Sequence, residues 1–263
     1  MSEFSGLTAA VTGAGSGIGL ATARLLKERG ATVYGLDLNE GGMAGIAQFI
    51  NCDVGDDASV ESAFKSISNL DILINNAAIS AVGTVEANSS EEWLKVINVN
   101  VVGIVRTSRS ALPLLRKSKH SAIVNTCSVA ATAGIPMRAL YSASKGAVLS
   151  LTQAMANDHL KDGVRVNCVN PGTADTPWVQ RLLAQAADPA KERAALEARQ
   201  PLGRLVSAKE VASAICYLAS PLQGSTTGIA LPVDGGLQPC LPVPQQSSTC
   251  QGDGTKSRRQ HGE

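Results

Sequence analysis

Short apolar runs rich in β-branched residues alternate with longer helical patterns from the first residues to about position 235. No other feature restricts the possible folds as strongly. The strand candidates are Leu7–Val11, Thr32–Leu36, Gln48–Ile50, Leu70–Asn75, Ala122–Thr126, Arg165–Val169 and Ile229–Val233. Helical stretches lie between them, near 17–29, 57–66, 91–117, 141–160, 176–185, 190–198 and 208–219. Several of the runs are continuously apolar, which indicates strands buried on both faces. Such alternation predicts an α/β fold with a doubly wound parallel sheet and right-handed crossovers. Aromatic residues make up 3% of the chain, so Ala, Val, Leu and Ile must build the core.

No linker or internal repeat divides the 263 residues. One domain over 1–237 is expected, with seven strands in a single sheet flanked by helices. From Leu237 onward the character changes to Pro239, Pro242, Pro244 and a polar, aperiodic end. That composition predicts a disordered tail over 238–263. A formal net charge of +1 offers no basic surface for nucleic acid. No apolar run approaches the roughly 20 residues of a membrane helix. Met1–Gly6 lacks the basic start of a signal peptide. Six cysteines occur without Cys-x-x-Cys spacing, and Cys127, Cys168 and Cys216 sit in apolar stretches. His120, His159 and His261 are scattered, so no metal site is expected. His159, near a helix end, is expected to meet terminal carbonyls. The implied compartment is the reducing cytoplasm.

The first strand runs into Thr12-Gly13-Ala14-Gly15-Ser16-Gly17-Ile18-Gly19 and then a helix. Glycines there let backbone N–H groups approach a pyrophosphate at the positive helix terminus, which makes the fold Rossmann-type and the ligand a dinucleotide. The second strand ends in Leu36-Asp37-Leu38, at the distance expected for an acidic residue on the ribose hydroxyls. A carboxylate there repels a 2′-phosphate, and no Arg or Lys follows it or occupies position 16, so NAD is expected over NADP. The alternative for Asp37 is a helix N-cap.

Tyr141 and Lys145 lie four residues apart in Tyr-Ser-Ala-Ser-Lys, with Ser128 upstream. On a helix, positions i and i+4 share a face, so the Lys145 ammonium can favour the Tyr141 phenolate. A phenol tuned in this way is a general acid/base for an alcohol–carbonyl pair.

From residue 5 to about 237 the chain resembles the short-chain dehydrogenase/reductase family. Thr12–Gly19 matches the family's cofactor turn, with Gly13, Ser16, Gly17 and Ile18 at the binding positions. Cys52-Asp53-Val54 matches the adenine-contacting segment, placing Asp53 and Val54 there. Asn75-Asn76-Ala77-Ala78 corresponds to Asn-Asn-Ala-Gly; Ala78 for Gly is a departure that crowds the backbone, while Asn76 and Ala77 keep their places. Pro171-Gly172-Thr173-Ala174-Asp175-Thr176 matches the loop holding the nicotinamide amide, through Pro171, Gly172, Ala174 and Thr176. Val233-Asp234-Gly235-Gly236 matches a structural closing motif. The resemblance implies a catalytic tetrad of Asn100, Ser128, Tyr141 and Lys145. Ser128 would orient the substrate oxygen and Tyr141 would take the alcohol proton. Lys145 would stabilise the phenolate and hold the ribose, and Asn100 would hold a relay water.

Three arginines point to the substrate. Arg138 precedes Tyr141 by three residues, Arg181 follows the Pro-Gly motif, and Arg199 precedes Gln200-Pro201-Leu202-Gly203-Arg204. Arginine suits bidentate capture of a carboxylate, while a solvated helix arginine is the plain alternative, above all for Arg181. Trp178 is either a pocket lid or core filling. These segments are similar to family members acting on small hydroxy or keto acids, among them type-2 3-hydroxybutyrate dehydrogenases and 2-keto-3-deoxy-L-fuconate or rhamnonate dehydrogenases. An NAD-dependent dehydrogenase of CH–OH donors carrying a carboxylate is thus expected. The rivals are a 3-oxoacyl thioester reductase, which would normally use NADPH, and a non-catalytic nucleotide-sensing regulator. The family pairs the helices at 91–117 and 141–160 across two-fold axes, which implies a homotetramer.

Overall fold

A computed structural model describes residues 2–184 and 186–238. The expected disordered tail falls outside these residues except for Gln238. Nine strands form among the described residues: β1 (Thr8–Thr12), β2 (Thr32–Asp37), β3 (Gln48–Asn51), β4 (Ile72–Asn75), β5 (Ala122–Thr126), β6 (Arg165–Pro171), β7 (Ala174–Asp175), β8 (Val206–Ser207) and β9 (Ala230–Val233). Seven of them make one sheet in the order β3-β2-β1-β4-β5-β6-β9, and every pairing is parallel. The order reverses between β1 and β4, and the crevice above that switch point is where doubly wound sheets take ligands. β7 and β8 form a separate two-stranded ribbon that the sequence reading did not foresee.

The helices are α1 (Gly17–Glu28), α2 (Asp57–Lys65), α3 (Ser90–Ile97), α4 (Gly103–Leu115), α5 (Ala139–Asp158), α6 (Pro177–Ala184), α7 (Pro189–Ala198) and α8 (Ala208–Ala219). Strand side chains alternate between two cores. Ala9, Val11, Ile72, Ile74 and Val124 pack with Ala23 and Leu26 of α1 and Val211, Ile215 and Leu218 of α8. Ala10, Leu36, Leu73 and Ile123 face the other way, toward Val60 and Phe64 of α2, Leu115 of α4 and Met155 of α5. Both faces are buried because helices cover both, and the strands accordingly read as unbroken apolar runs. Truncating a fully buried residue such as Ile74 to Ala would destabilise by about 2–5 kcal/mol.

The single helix expected over 91–117 is in fact three pieces. α3 ends at Ile97, a π-helical turn spans Asn98–Val102, and α4 begins at Gly103. A second correction concerns His159. Its Nδ1 lies 3.0 Å from Asp162 Oδ2 instead of meeting helix-end carbonyls, and Arg116 binds the same carboxylate oxygen at 3.0 Å. Cys52, Cys127, Cys168 and Cys216 are free and buried, and burial pushes the thiols of Cys52 and Cys216 up to about 11 and about 12. Among the described residues no helix is long and apolar enough to cross a membrane, and no cluster of His, Cys, Asp or Glu could hold a metal ion.

Candidate active site

The crevice is built from strand ends. β1 runs through Thr12 into the glycine turn, whose Gly13 amide donates to the Leu36 carbonyl at 2.8 Å. Gly13 has φ +65° and passes so close to the next strand that a Cβ would lie 2.9 Å from Ala77 Cα. Only glycine meets both demands. Asn76 locks the turn from the side. Its Nδ2 donates to the carbonyls of Thr12 and Gly13 at 3.1 and 3.2 Å, and the amides of Asn76 and Ala77 share Thr12 Oγ1. Ser16 precedes α1 without a side-chain cap, whereas α2, α3, α7 and α8 are capped by Asp56, Ser89, Asp188 and Ser207. The first-turn amides of α1 are therefore left for an anion.

Asp37 closes β2, and no helix follows it, so it is not an N-cap. Its Oδ2 accepts the Gly15 amide at 2.9 Å and its Oδ1 the Leu38 amide at 2.7 Å. Asp53 and Val54 follow β3; Asp53 is exposed and Val54 is buried. Across the turn stands the loop after β6. Thr176 lies 3.6 Å from where a Cβ on Gly17 would sit, so Pro171–Thr176 overhangs the start of α1.

α5 carries Tyr141 and Lys145 on one face. The Lys145 ammonium is buried, 5.7 Å from the centre of the Tyr141 ring, and donates to the Thr126 carbonyl at 2.8 Å. No carboxylate among the described residues forms an ion pair with it. A buried cation without a carboxylate partner imposes a strong local field beside the Tyr141 ring. Ser128, just past β5, sets a short 3₁₀ turn by accepting the Ala130 amide at 3.1 Å. Asn100 sits in the π turn and is buried. Its Oδ1 accepts the Ile79 amide at 2.8 Å, while its Nδ2 donates to the Ile79 carbonyl and to Ser144 Oγ at 2.9 and 3.1 Å. Its carboxamide is thus fully engaged with protein groups.

The arginines do not converge as a trio. Arg138, immediately before α5, is half-buried, and burial first and Arg199 second pull its guanidinium below its ordinary value. Arg199 therefore approaches it from the C-terminal end of α7. Arg181 lies exposed on α6. Trp178 is 40% exposed and so does not fill the core. Met137 has φ +58°, the one non-glycine in that region among the described residues. Its carbonyl accepts the Gly83 amide at 2.9 Å, and Gly83 in turn accepts the Ala139 amide at 3.2 Å.

The family described as enoyl-(acyl carrier protein) reductase matches residues 13–238. The chain belongs to the short-chain dehydrogenase/reductase family. It is 38% identical over 247 residues to a cis-4-hydroxycyclohexanecarboxylate dehydrogenase of Sinomonas cyclohexanicum, covering 89% of this chain and 97% of that one. Similarity to a 3-oxoacyl-[acyl-carrier-protein] reductase of Vibrio harveyi is 37% over 246 residues, with 89% and 98% covered. The aldohexose dehydrogenase of Thermoplasma acidophilum superposes with a TM-score of 0.87 at 33% identity, over 92% of this chain and 98% of that one. Membership makes the chain an oxidoreductase of alcohol–carbonyl pairs, in a family that works with nicotinamide dinucleotides.

Within that family frame, several site-building residues escaped the reading of the sequence. Asn75 donates to Asn125 Oδ1 at 2.9 Å and accepts from Thr107 at 2.7 Å, and Asn125 donates to Thr152 at 2.9 Å. This buried chain of amides and hydroxyls ties α4 to α5 through the sheet. Asparagines inside otherwise apolar strands were the available signal, because a buried amide must find partners.

Proposed function

We propose that the chain is a cytoplasmic, NAD-dependent dehydrogenase that interconverts a secondary alcohol and a ketone on a small, carboxylate-bearing hydroxy acid. The observation that carries the substrate class is the pair Arg138 and Arg199. Two like charges approach beside Tyr141, and neither has an ion-pair partner among the described residues. Glu192 offsets part of that repulsion without forming an ion pair, and a bidentate substrate carboxylate would complete the balance. A relative named for a hydroxycyclohexanecarboxylate supports the same class. Within it, a 2-keto-3-deoxy sugar acid ranks first and 3-hydroxybutyrate second.

NAD would lie along the crevice. Gly13, Ser16, Gly17 and Ile18 would hold the pyrophosphate, Asp37 the adenosine ribose, and Asp53 and Val54 the adenine. Asn76, Ala77, Pro171, Gly172, Ala174 and Thr176 would flank the nicotinamide, with Tyr141 and Lys145 at its ribose. The open amides of α1 and the Asp37 carboxylate, with no cation beside it in the sequence, fit an unphosphorylated ribose. When bound, the nicotinamide supplies the carbon that exchanges hydride with the substrate.

The residues then divide the work. Ser128 Oγ–H donates to the substrate oxygen and fixes its angle. Tyr141 Oη takes the hydroxyl proton in oxidation and returns it in reduction. Lys145 holds positive charge in place for the phenolate, a preorganised electrostatic effect that a water-exposed amine would lose to solvent. Asn100's carboxamide is engaged, so a relay water falls to main-chain carbonyls of the π turn.

A panel of hydroxy acids and neutral alcohols, run with NAD and with NADP, tests this function. Turnover of acids with NAD supports it; turnover of 3-oxoacyl thioesters with NADPH would establish the reductase alternative. Cofactor binding with no turnover of any alcohol would favour a sensing role.

A further inference from the structure

The π turn that carries Asn100 is fastened to the loop after β3, and the contacts converge on Arg106 of α4. Arg106 Nη1 donates to the carbonyls of Val54 and Asn98 at 3.2 and 3.3 Å, and Nη2 donates to Asn98 Oδ1 at 2.8 Å. Its Nε stands 3.0 Å from Asp57 Oδ2, and only 11% of the side chain is exposed. Asn98 Nδ2 passes the link on, donating to the Gly55 carbonyl at 2.9 Å. The backbones also touch: a Cβ on Gly103 would meet Val54 Cγ2 and the Val54 carbonyl at 3.2 Å. Two residues beyond Asn98 is Asn100, held by both polar groups of the Ile79 peptide and by Ser144 of α5.

An unbroken path of hydrogen bonds and short peptide segments therefore runs from Val54 and Gly55, through Arg106 and Asn98, to Asn100, Ile79 and the helix of Tyr141. π turns are rare, occur mostly as single turns inserted in α-helices, and are frequent at functional sites. A planar guanidinium satisfies several acceptors in fixed directions at once, which a lysine ammonium cannot reproduce. We infer that Arg106 is a positioning residue: it fixes the π turn against the Asp53–Gly55 loop, so that adenosine bound at that loop steadies Asn100 at the reacting end of the crevice. This rests on the cofactor placement proposed above.

The test uses ADP-ribose, which has the adenosine half of the cofactor and no nicotinamide, with amide hydrogen exchange as readout. In the wild type, saturating ADP-ribose should slow exchange at residues 98–103 and at Ile79 by roughly three- to thirtyfold, besides protecting 13–19 and 53–55. In Arg106→Lys, which keeps the charge facing Asp57, protection at 13–19 should persist while that at 98–103 and Ile79 disappears. With NAD, kcat should fall and the substrate KM stay level. Asn98→Ala removes only the carboxamide and should give the same exchange pattern; it decides the matter if Arg106→Lys does not fold. Wild-type binding without protection at 98–103, or equal protection in both variants, overturns the inference and leaves the cofactor reading standing. Failure of the wild type to bind ADP-ribose overturns both.

Discussion

Asp37 grips Gly15: its Oδ2 accepts the Gly15 amide at 2.9 Å. The carboxylate proposed to select the ribose also fastens the turn proposed to hold the pyrophosphate. Asp37→Ala should therefore lose on two counts. kcat/KM for NAD should drop roughly ten- to a hundredfold, and the melting temperature should fall by a few degrees. Asp37→Asn keeps an acceptor for Gly15 and should retain the melting temperature while narrowing the preference for NAD. A wild type that uses NAD and NADP equally well would show that Asp37 does not read the ribose.

Tyr141→Phe should reduce turnover by about a hundredfold or more and change NADH affinity only a fewfold, since the hydroxyl moves the proton while its ribose contact is one of many that hold the cofactor. Fluorescence titration with NADH beside steady-state kinetics separates the two. If the Phe variant kept more than about a tenth of wild-type turnover, the base would be another group.

Arg138→Met should lower kcat/KM for a hydroxy acid roughly ten- to a hundredfold and spare its methyl ester, because only the acid has a carboxylate to lose. The second arginine makes a further prediction. Arg199→Met leaves the charged Arg138 guanidinium in place beside Tyr141, so its effect on acids should be smaller than that of Arg138→Met. Equal losses on acid and ester would mark Arg138 as structural.

Acid stability has a local contributor in Glu210. Hydrogen bonds from Arg204 and from Ser207 hold its carboxyl down at about 2. A depressed carboxyl stabilises the fold fully above its unfolded range and loses that contribution as pH falls from about 5 toward 2. The pair is solvent-exposed, so screening keeps the effect small. Melting curves of Glu210→Gln and wild type should differ by at most about 2 °C at pH 7 and converge near pH 2. A gap that widened on acidification would reverse the assignment.

Light scattering at micromolar concentration should report a tetramer, with the faces of α3, α4 and α5 paired across two-fold axes. Leu94 of α3, 72% exposed in the isolated chain, is an apolar side chain of the kind such pairing covers. A monomer at that concentration would leave these faces unexplained.

The sheet was legible because burial on both faces writes itself into the sequence as apolar runs, and every one of the seven long strands was found within two residues of its ends. The π turn was not. Val99, Val101, Val102 and Ile104 keep the apolar periodicity running through it, and a single inserted residue shifts a helix without changing its composition. The one local hint was the pair Asn98 and Asn100 within that run. The ribbon of β7 and β8 is two residues wide and below the reach of any periodicity. Arg138 was picked out by its nearness to Tyr141, but its meeting with Arg199, and not with Arg181, is a product of how α6 and α7 fold back, which no spacing records.

Met137 gives the region ahead of Tyr141 a peculiar engineering property. Its left-handed backbone carries about 1–2 kcal/mol of strain that glycine would not. Replacing it with glycine also frees the unfolded chain, by a comparable amount in the opposite sense. The two effects oppose each other, so the melting temperature should respond little to Met137→Gly. What should change is the stiffness of the strap joining Gly83 to the first turn of α5, which amide hydrogen exchange at Gly83 and Ala139 would register. Residue 137 can therefore tune the mobility of the segment leading into Tyr141 almost independently of global stability.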